Sequence, residues 1–181
     1  MEFIKHNIKL FIISGKSGSG KNLVSKIIED YYKEKKCITI SFAYYLKDYI
    51  KRITKSDINE ENKPRDFLQQ LGIELIKNKI DNKLLINRII QDIEVFSYFY
   101  DIIIINDARL IQEIESIKEK FNNSISIRIK SNKINDKLTS NQQNHITETG
   151  LDNYNNFDYI IDNSFSYDEL ENKIKNILRS V

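Results

Sequence analysis

An apolar run that stops in glycine constrains this chain more than any other feature. Ile8-Lys9-Leu10-Phe11-Ile12-Ile13-Ser14 leads into Gly15-Lys16-Ser17-Gly18-Ser19-Gly20-Lys21, after which Leu23, Val24, Ile27, Ile28 and Tyr31 recur at helical spacing. A short continuous apolar run reads as a strand buried on both faces, and the periodic stretch as a helix. The heptapeptide between them fits G-x-x-x-x-G-K and holds three of the chain's five glycines. Glycines let backbone N–H groups wrap a polyphosphate at a helix N-terminus, and the lysine reaches the terminal phosphate oxygens. Asn22 stands where Ser or Thr usually ligates Mg²⁺, and its amide oxygen can hold the ion directly or through water.

The rest of the chain continues the alternation. Cys37 to Phe42 reads as a second strand, followed by an amphipathic segment through Leu46, Tyr49, Ile50 and Ile53 and a polar stretch from Ser56 to Lys63. Pro64 opens a helix whose apolar face is Phe67, Leu68, Leu71, Leu75 and Ile76, and a further helical period covers 83–98. The run 101–107 is β-branched and too short for a helix, so it is the clearest strand. A helix at 110–121, a strand at 124–129, a polar, aperiodic and mobile loop at 130–144, a strand at 157–163 and a helix at 168–179 complete the chain. Strands alternating with helices predict an α/β fold with a parallel sheet of about five strands, covered on both faces, and ligands at the strands' carboxyl ends.

At 181 residues, with no internal repeat or linker, one domain over 1–181 is expected. The balance of 28 basic against 26 acidic residues leaves a net charge of +2, too weak a field to predict nucleic-acid or membrane binding. No apolar run approaches the roughly 20 residues that span a bilayer. Met1 to His6 lacks a signal peptide's apolar core, and the single cysteine, Cys37, reads as a buried strand thiol and excludes an intramolecular disulfide. A cytoplasmic protein is expected.

Chemistry concentrates at strand ends. Asp107 closes the clearest strand, where a carboxylate either lies near nucleotide phosphates to orient Mg²⁺ or take a proton, or caps the next helix. Only six arginines occur, at 52, 65, 88, 109, 128 and 179. Arg52, Arg88 and Arg179 fall in helical stretches and Arg128 in a strand beside the loop, whereas Arg65 and Arg109 stand at junctions into helices. There a planar guanidinium can grip a phosphate with two parallel hydrogen bonds; on position alone Arg65 reads equally as a solvated first-turn residue. His145-Ile146-Thr147-Glu148 is either a capping box or the end of a lid. Asn78-Lys79-Ile80-Asp81 matches the guanine-reading N-K-x-D, but it lies in a helical stretch and no D-x-x-G accompanies it, so a GTPase switch is rejected.

Taken in order, Ser14-Gly15 to Gly20-Lys21, Phe42-Ala43 with Leu46-Lys47, Lys63-Pro64-Arg65 with Gln69 and Gly72, Asp107-x-Arg109 with Glu113, and His145-x-Thr147-Glu148 resemble bacterial and phage deoxynucleoside monophosphate kinases. The likeness spans nearly the whole chain, although Tyr44-Tyr45 replace the Asp-Pro usual there. It implies a three-layer P-loop fold that moves the γ-phosphoryl group of ATP, with Mg²⁺, onto a nucleoside or deoxynucleoside monophosphate to give the diphosphate, as a monomer or homodimer. By the same resemblance Gly15, Lys16, Ser17, Gly18, Ser19, Gly20, Lys21 and Asn22 bind ATP, and Lys21, Asp107 and Arg109 are catalytic. Asn22 and Asp107 hold the metal, and Phe42, Lys47, Arg65, Gln69, Arg109, Glu113, His145 and Glu148 take the acceptor. Lys130, Lys133 and Lys137 line a lid over 130–144. The stretch Glu148 to Asn163 also looks like animal phosphomevalonate kinase, and a nucleotide-binding module without catalysis stays open as a third reading.

Overall fold

The computed structural model describes residues 2–56, 64–132, 138–164 and 166–181. Lys63, Lys133 and Lys137 lie outside the described residues. Five parallel strands form one sheet: β1 (Lys9–Gly15), β2 (Cys37–Ile40), β3 (Ile102–Ala108), β4 (Ser124–Lys130) and β5 (Tyr159–Asp162), in the order β2-β3-β1-β4-β5. β1 sits at the centre, so its carboxyl end, where the glycine loop begins, is flanked by those of β3 and β4.

Side-chain alternation along β1 splits the core in two. Phe11 and Ile13 face α1 (Lys21–Tyr31) and α8 (Tyr167–Ser180), meeting Val24, Ile28, Leu170 and Ile174. Leu10 and Ile12 face the opposite way, with Ile103 and Ile105 of β3, onto Ile86, Ile89 and Ile93 of α4 (Leu84–Phe96) and Ile114 and Ile117 of α5 (Ile111–Lys120). Burial on both faces is why these strands read as unbroken apolar runs. A third cluster, Ile50, Leu68, Leu71 and Ile76, joins α2 (Phe42–Thr54) to the helical segment after Pro64.

Four expectations change. The second strand ends at Ile40, because the Ser41 side chain accepts from Tyr44 N–H and starts α2 at Phe42. Cys37 is half-buried rather than buried. Within 130–144, Ser140–Asn144 is helical (α6), opened by reciprocal bonds between Thr139 and Gln142, and α7 (Ile146–Thr149) follows at once. Finally, α3 (Arg65–Gln69) runs into a π-helix, Gln70–Ile80, whose hydrogen bonds reach five residues back, as Asp81 N–H does to Ile76 O. Leu71 therefore shares its face with Ile76, and Leu75, expected in the core, is 44% exposed.

That register makes a prediction. Ile76→Ala removes a side chain that is 4% exposed and is expected to cost about 2–4 kcal/mol. Leu75→Ala is expected to cost less than about 1 kcal/mol. Urea denaturation of both variants checks this; equal costs would contradict the π register.

Candidate functional site

The carboxyl ends of all five strands deliver residues to one edge of the sheet. After β1, Gly18 (φ 82°) and Gly20 (φ 99°) turn the backbone through the left-handed region that favours glycine. A Cβ on Gly20 would lie 2.4 Å from Asn163 Nδ2, and that amide, just past β5, donates to Ser19 O at 2.9 Å. No hydrogen bond to the N–H of Gly18 or Gly20 forms within the described residues, so the loop keeps donors for an anion. Lys21 is 9% exposed and folds back to donate to the carbonyls of Gly15 (2.7 Å) and Lys16 (2.8 Å). Burial, assisted by nearby Arg109, pushes its pKa down to about 7 against the pull of Glu148 and Asp107.

Beside the loop lies a cavity of about 840 Å³ between α2, the helical segment after Pro64 and the end of β3. Of the sequence-predicted residues, Ser17, Gly18, Gly20, Lys21, Asn22, Phe42, Lys47, Arg65, Gln69, Asp107, Arg109, Glu113 and Glu148 line it. Gly15 and Ser19 are buried in the loop's base, and Lys16 reaches outward to Asp152 Oδ2 at 2.7 Å. His145 is not in the cavity wall; its ring caps α7, accepting from Thr147 N–H at 3.3 Å. Lys130 is exposed at the end of β4, away from the cavity wall. Tyr44 is 65% exposed, and Tyr45 turns to Arg88 and Asp92.

Asp107 does cap a helix, but the helix is α2 rather than the α5 that follows it. Its two oxygens accept from Phe42 N–H (2.8 Å) and Ala43 N–H (2.9 Å), and burial raises its pKa in spite of those bonds. Asn22 Oδ1 accepts from Asn106 Nδ2 at 3.3 Å, so an amide oxygen and a carboxylate share this end of the cavity. Such hard oxygen donors suit Mg²⁺, which keeps several waters and takes phosphate oxygens. The pair fits that ion. Among the described residues no group of three or more His, Cys, Asp or Glu is placed to hold a metal.

Arginines stand around the loop. Arg65 Nη1 lies 3.3 Å from Ser17 Oγ. Arg109 Nη1 donates to Glu148 Oε1 (2.7 Å) and Thr147 O (3.2 Å), and Ser17 N–H donates to Glu148 Oε2 at 2.8 Å. Gln69 Nε2 reaches Thr147 Oγ1 at 3.2 Å across the mouth of the cavity. Sequence reasoning set Arg128 aside, yet it is 6% exposed and donates to Ser14 Oγ (2.9 Å) and Asp152 Oδ1 (3.4 Å), bracing the loop from the β4 side. A signal existed: in Ser124-Ile-Ser-Ile-Arg-Ile-Lys130 the arginine falls on the serine parity, at the strand's carboxyl end. Asp152 and Asn163 carried no such signal.

Glu113 is 8% exposed, and one oxygen, Oε2, accepts from both Arg109 N–H (2.7 Å) and Leu110 N–H (3.0 Å). Burial dominates and, with the Asp107 charge, pushes its pKa up to about 7. The folded protein then holds a proton between about pH 4.5 and 7 that the unfolded chain has lost. Stability from this group is complete below pH 4.5 and falls as pH rises to 7, by on the order of 2–3 kcal/mol. Glu113→Gln is expected to flatten that part of the stability–pH curve relative to the parent, measured by urea denaturation at several pH values.

Comparison with solved structures gives the fold. TT1252 from Thermus thermophilus matches with a TM-score of 0.56 at 11% identity, over 98% of this chain and 99% of that one. APE1195 matches with a TM-score of 0.52 at 12% identity over 99% of both chains. The APS kinase CysC of Mycobacterium tuberculosis matches with a TM-score of 0.50 at 11% identity, over 96% of this chain and 99% of that one. No curated protein sequence matches. The fold is that of the P-loop kinases. A family model described as deoxynucleotide monophosphate kinase matches residues 35–174, beginning downstream of the glycine loop that the geometry identifies independently. With that match over most of its length, the chain belongs to the deoxynucleotide monophosphate kinase family.

Proposed function

We propose that the protein transfers the γ-phosphoryl group of ATP to the phosphate of a deoxynucleoside monophosphate, giving ADP and a deoxynucleoside diphosphate. The observation that carries this reading is the juxtaposition of the glycine loop with Arg65 and Arg109 in the lining of a single cavity. On this reading the donor's phosphates lie on the N–H groups of the loop, with Lys21 unfolding from the Gly15 and Lys16 carbonyls to reach the β and γ oxygens. Arg65 and Arg109 clamp the acceptor phosphate so that its oxygen approaches the γ-phosphorus in line. Phe42, Gln69 and Glu113 also line that cavity and hold the nucleoside.

An acceptor oxygen attacks, the bond from the γ-phosphorus to the bridging oxygen breaks, and ADP leaves with that electron pair. Catalysis is positioning and charge neutralisation, without a covalent enzyme intermediate. Asn22 and Asp107 would hold Mg²⁺, which would supply charge neutralisation on the phosphates. The segment 130–144 acts as a lid that keeps water from the γ-phosphate. The whole chain works as one domain, in the cytoplasm.

A coupled ADP-release assay with ATP, Mg²⁺, a panel of nucleoside monophosphates and phosphomevalonate tests the reading. ADP release dependent on a deoxynucleotide is expected. Release with phosphomevalonate alone would replace the acceptor class, and acceptor-independent release would leave a nucleotide-binding module. Arg65→Lys and Arg109→Lys are each expected to raise the acceptor KM or lower kcat by at least about tenfold, about 1.4 kcal/mol. Wild-type acceptor kinetics in both, alongside loss of ATP binding in Lys21→Ala, would move the acceptor site elsewhere.

A further inference from the structure

Ser17 N–H, one of the donors that a phosphate loop offers to its anion, is already engaged. Its partner is a carboxylate oxygen of the chain itself, Glu148 Oε2, at 2.8 Å, while Oε1 of the same group is held by Arg109 at 2.7 Å. Glu148 is 8% exposed and is set in place by α7, which is tied across the cavity by Gln69 to Thr147 and, through α6, by Gln142 to Asp66 at 2.8 Å. The positive end of α1 and the charge of Lys21 attract an anion to this point, and Glu148 supplies one.

We propose that Glu148 is an internal stand-in for phosphate, which the donor nucleotide must displace, and that its release hands Arg109 to the acceptor. The inference rests on the proposed function for the identity of the donor. A polyphosphate on the loop brings negative charge to the N–H that Glu148 occupies, and two anions at one donor repel. ATP binding therefore draws on the difference in affinity between the Glu148-engaged and Glu148-released states, so the apparent affinity is lower than the loop's own. One carboxylate spans both groups, so a Glu148 that swings away from Ser17 also draws Oε1 away from Arg109. The guanidinium, already in the cavity wall, is then free to take the acceptor phosphate. Glu148 is thus a positioning residue that makes donor binding prepare the acceptor site.

A carboxamide at this position keeps at most one of the two bonds, because its –NH₂ end cannot accept from either Ser17 or Arg109. An aspartate keeps the charge but is one methylene too short to span both. Calorimetric titration of ATP with Mg²⁺, without acceptor, into the wild type, Glu148→Gln and Glu148→Asp tests the proposal, with tripolyphosphate as a second probe lacking the nucleoside. Both variants are expected to bind both probes at least about tenfold more tightly than the wild type, a gain that general structural damage does not produce. Should one variant fail to fold, as judged by its thermal melt, the other decides. ATP affinity that is unchanged or weaker in the folded variants would overturn the role of Glu148 while leaving the donor site standing. Absence of ATP binding in all three proteins would overturn the proposed function and this inference with it.

Discussion

Opposite charges at the carboxyl edge of the sheet hold one another in place, and the site depends on that balance. Lys21, Arg109 and Arg128 stand against Asp107, Glu113 and Glu148. A charge moved from water into such surroundings costs several kcal/mol unless it is paired and hydrogen-bonded. Four of the six, Lys21, Glu113, Glu148 and Arg128, are at least nine-tenths buried, and these and Asp107 each have a defined partner: Lys21 on two carbonyls, Asp107 on two N–H groups, Glu113 on two more, Glu148 between Arg109 and Ser17, Arg128 on Ser14 and Asp152. The depressed Lys21 and the raised Glu113 are two expressions of one desolvated edge. Such a set is poised for a ligand carrying several negative charges, because the arriving anion re-pairs cations whose present partners are the chain's own carbonyls and carboxylates.

Strand order explains how residues so far apart in sequence come to share that edge. With β1 central, its loop is held from the β4–β5 side, where Arg128 of β4 grips Ser14 and Asn163 beyond β5 grips the Ser19 carbonyl, while on the other side Asp107 at the end of β3 fixes the start of α2. The loop's left-handed glycines thus sit in a frame that fixes them before any ligand arrives. Preorganised donors of this kind do not have to reorient as charge develops in a transition state.

Much of this was legible in the sequence where the signal is local. The unbroken apolar runs of β1 and β3, the glycine loop between strand and helix, and the polar residues closing β3 each lie within a few positions of one another. The structure places all of them as read. What was not legible depends on partners far away along the chain. Ser17 and Glu148 meet across 131 positions and Ser14 and Arg128 across 114, so neither contact leaves a trace in spacing. Helix α6 is five residues long, too short to show a period, and only its Thr139–Gln142 cap marks it. Asp107 does act as a cap, but the helix it holds, α2, precedes it in the chain and follows β2, the neighbour of β3, so local spacing points to the wrong helix.

The π-helix is the clearest case of tertiary structure overruling a periodicity. Phe67, Leu68, Leu71 and Leu75 satisfy the 3.6-residue period, and an α-helix would have buried them together. With bonds five residues back, the face turned to the cavity instead runs through Leu68, Gln69, Gly72, Ile73, Ile76 and Lys77 at steps of four and five. Gly72 lets that face approach α2 closely, since a Cβ there would lie 3.1 Å from Leu46 Cδ1 and would push that side chain back by a few tenths of an ångström. The wider helix therefore does two things at once. It packs Leu71 and Ile76 against Ile50, and it puts an apolar strip bordered by Gln69 and Lys77 opposite Phe42 and Lys47. A strip of that composition suits a flat, partly polar ring better than a second phosphate, so the proposed function would put the acceptor's nucleoside on this side and its phosphate on the arginines.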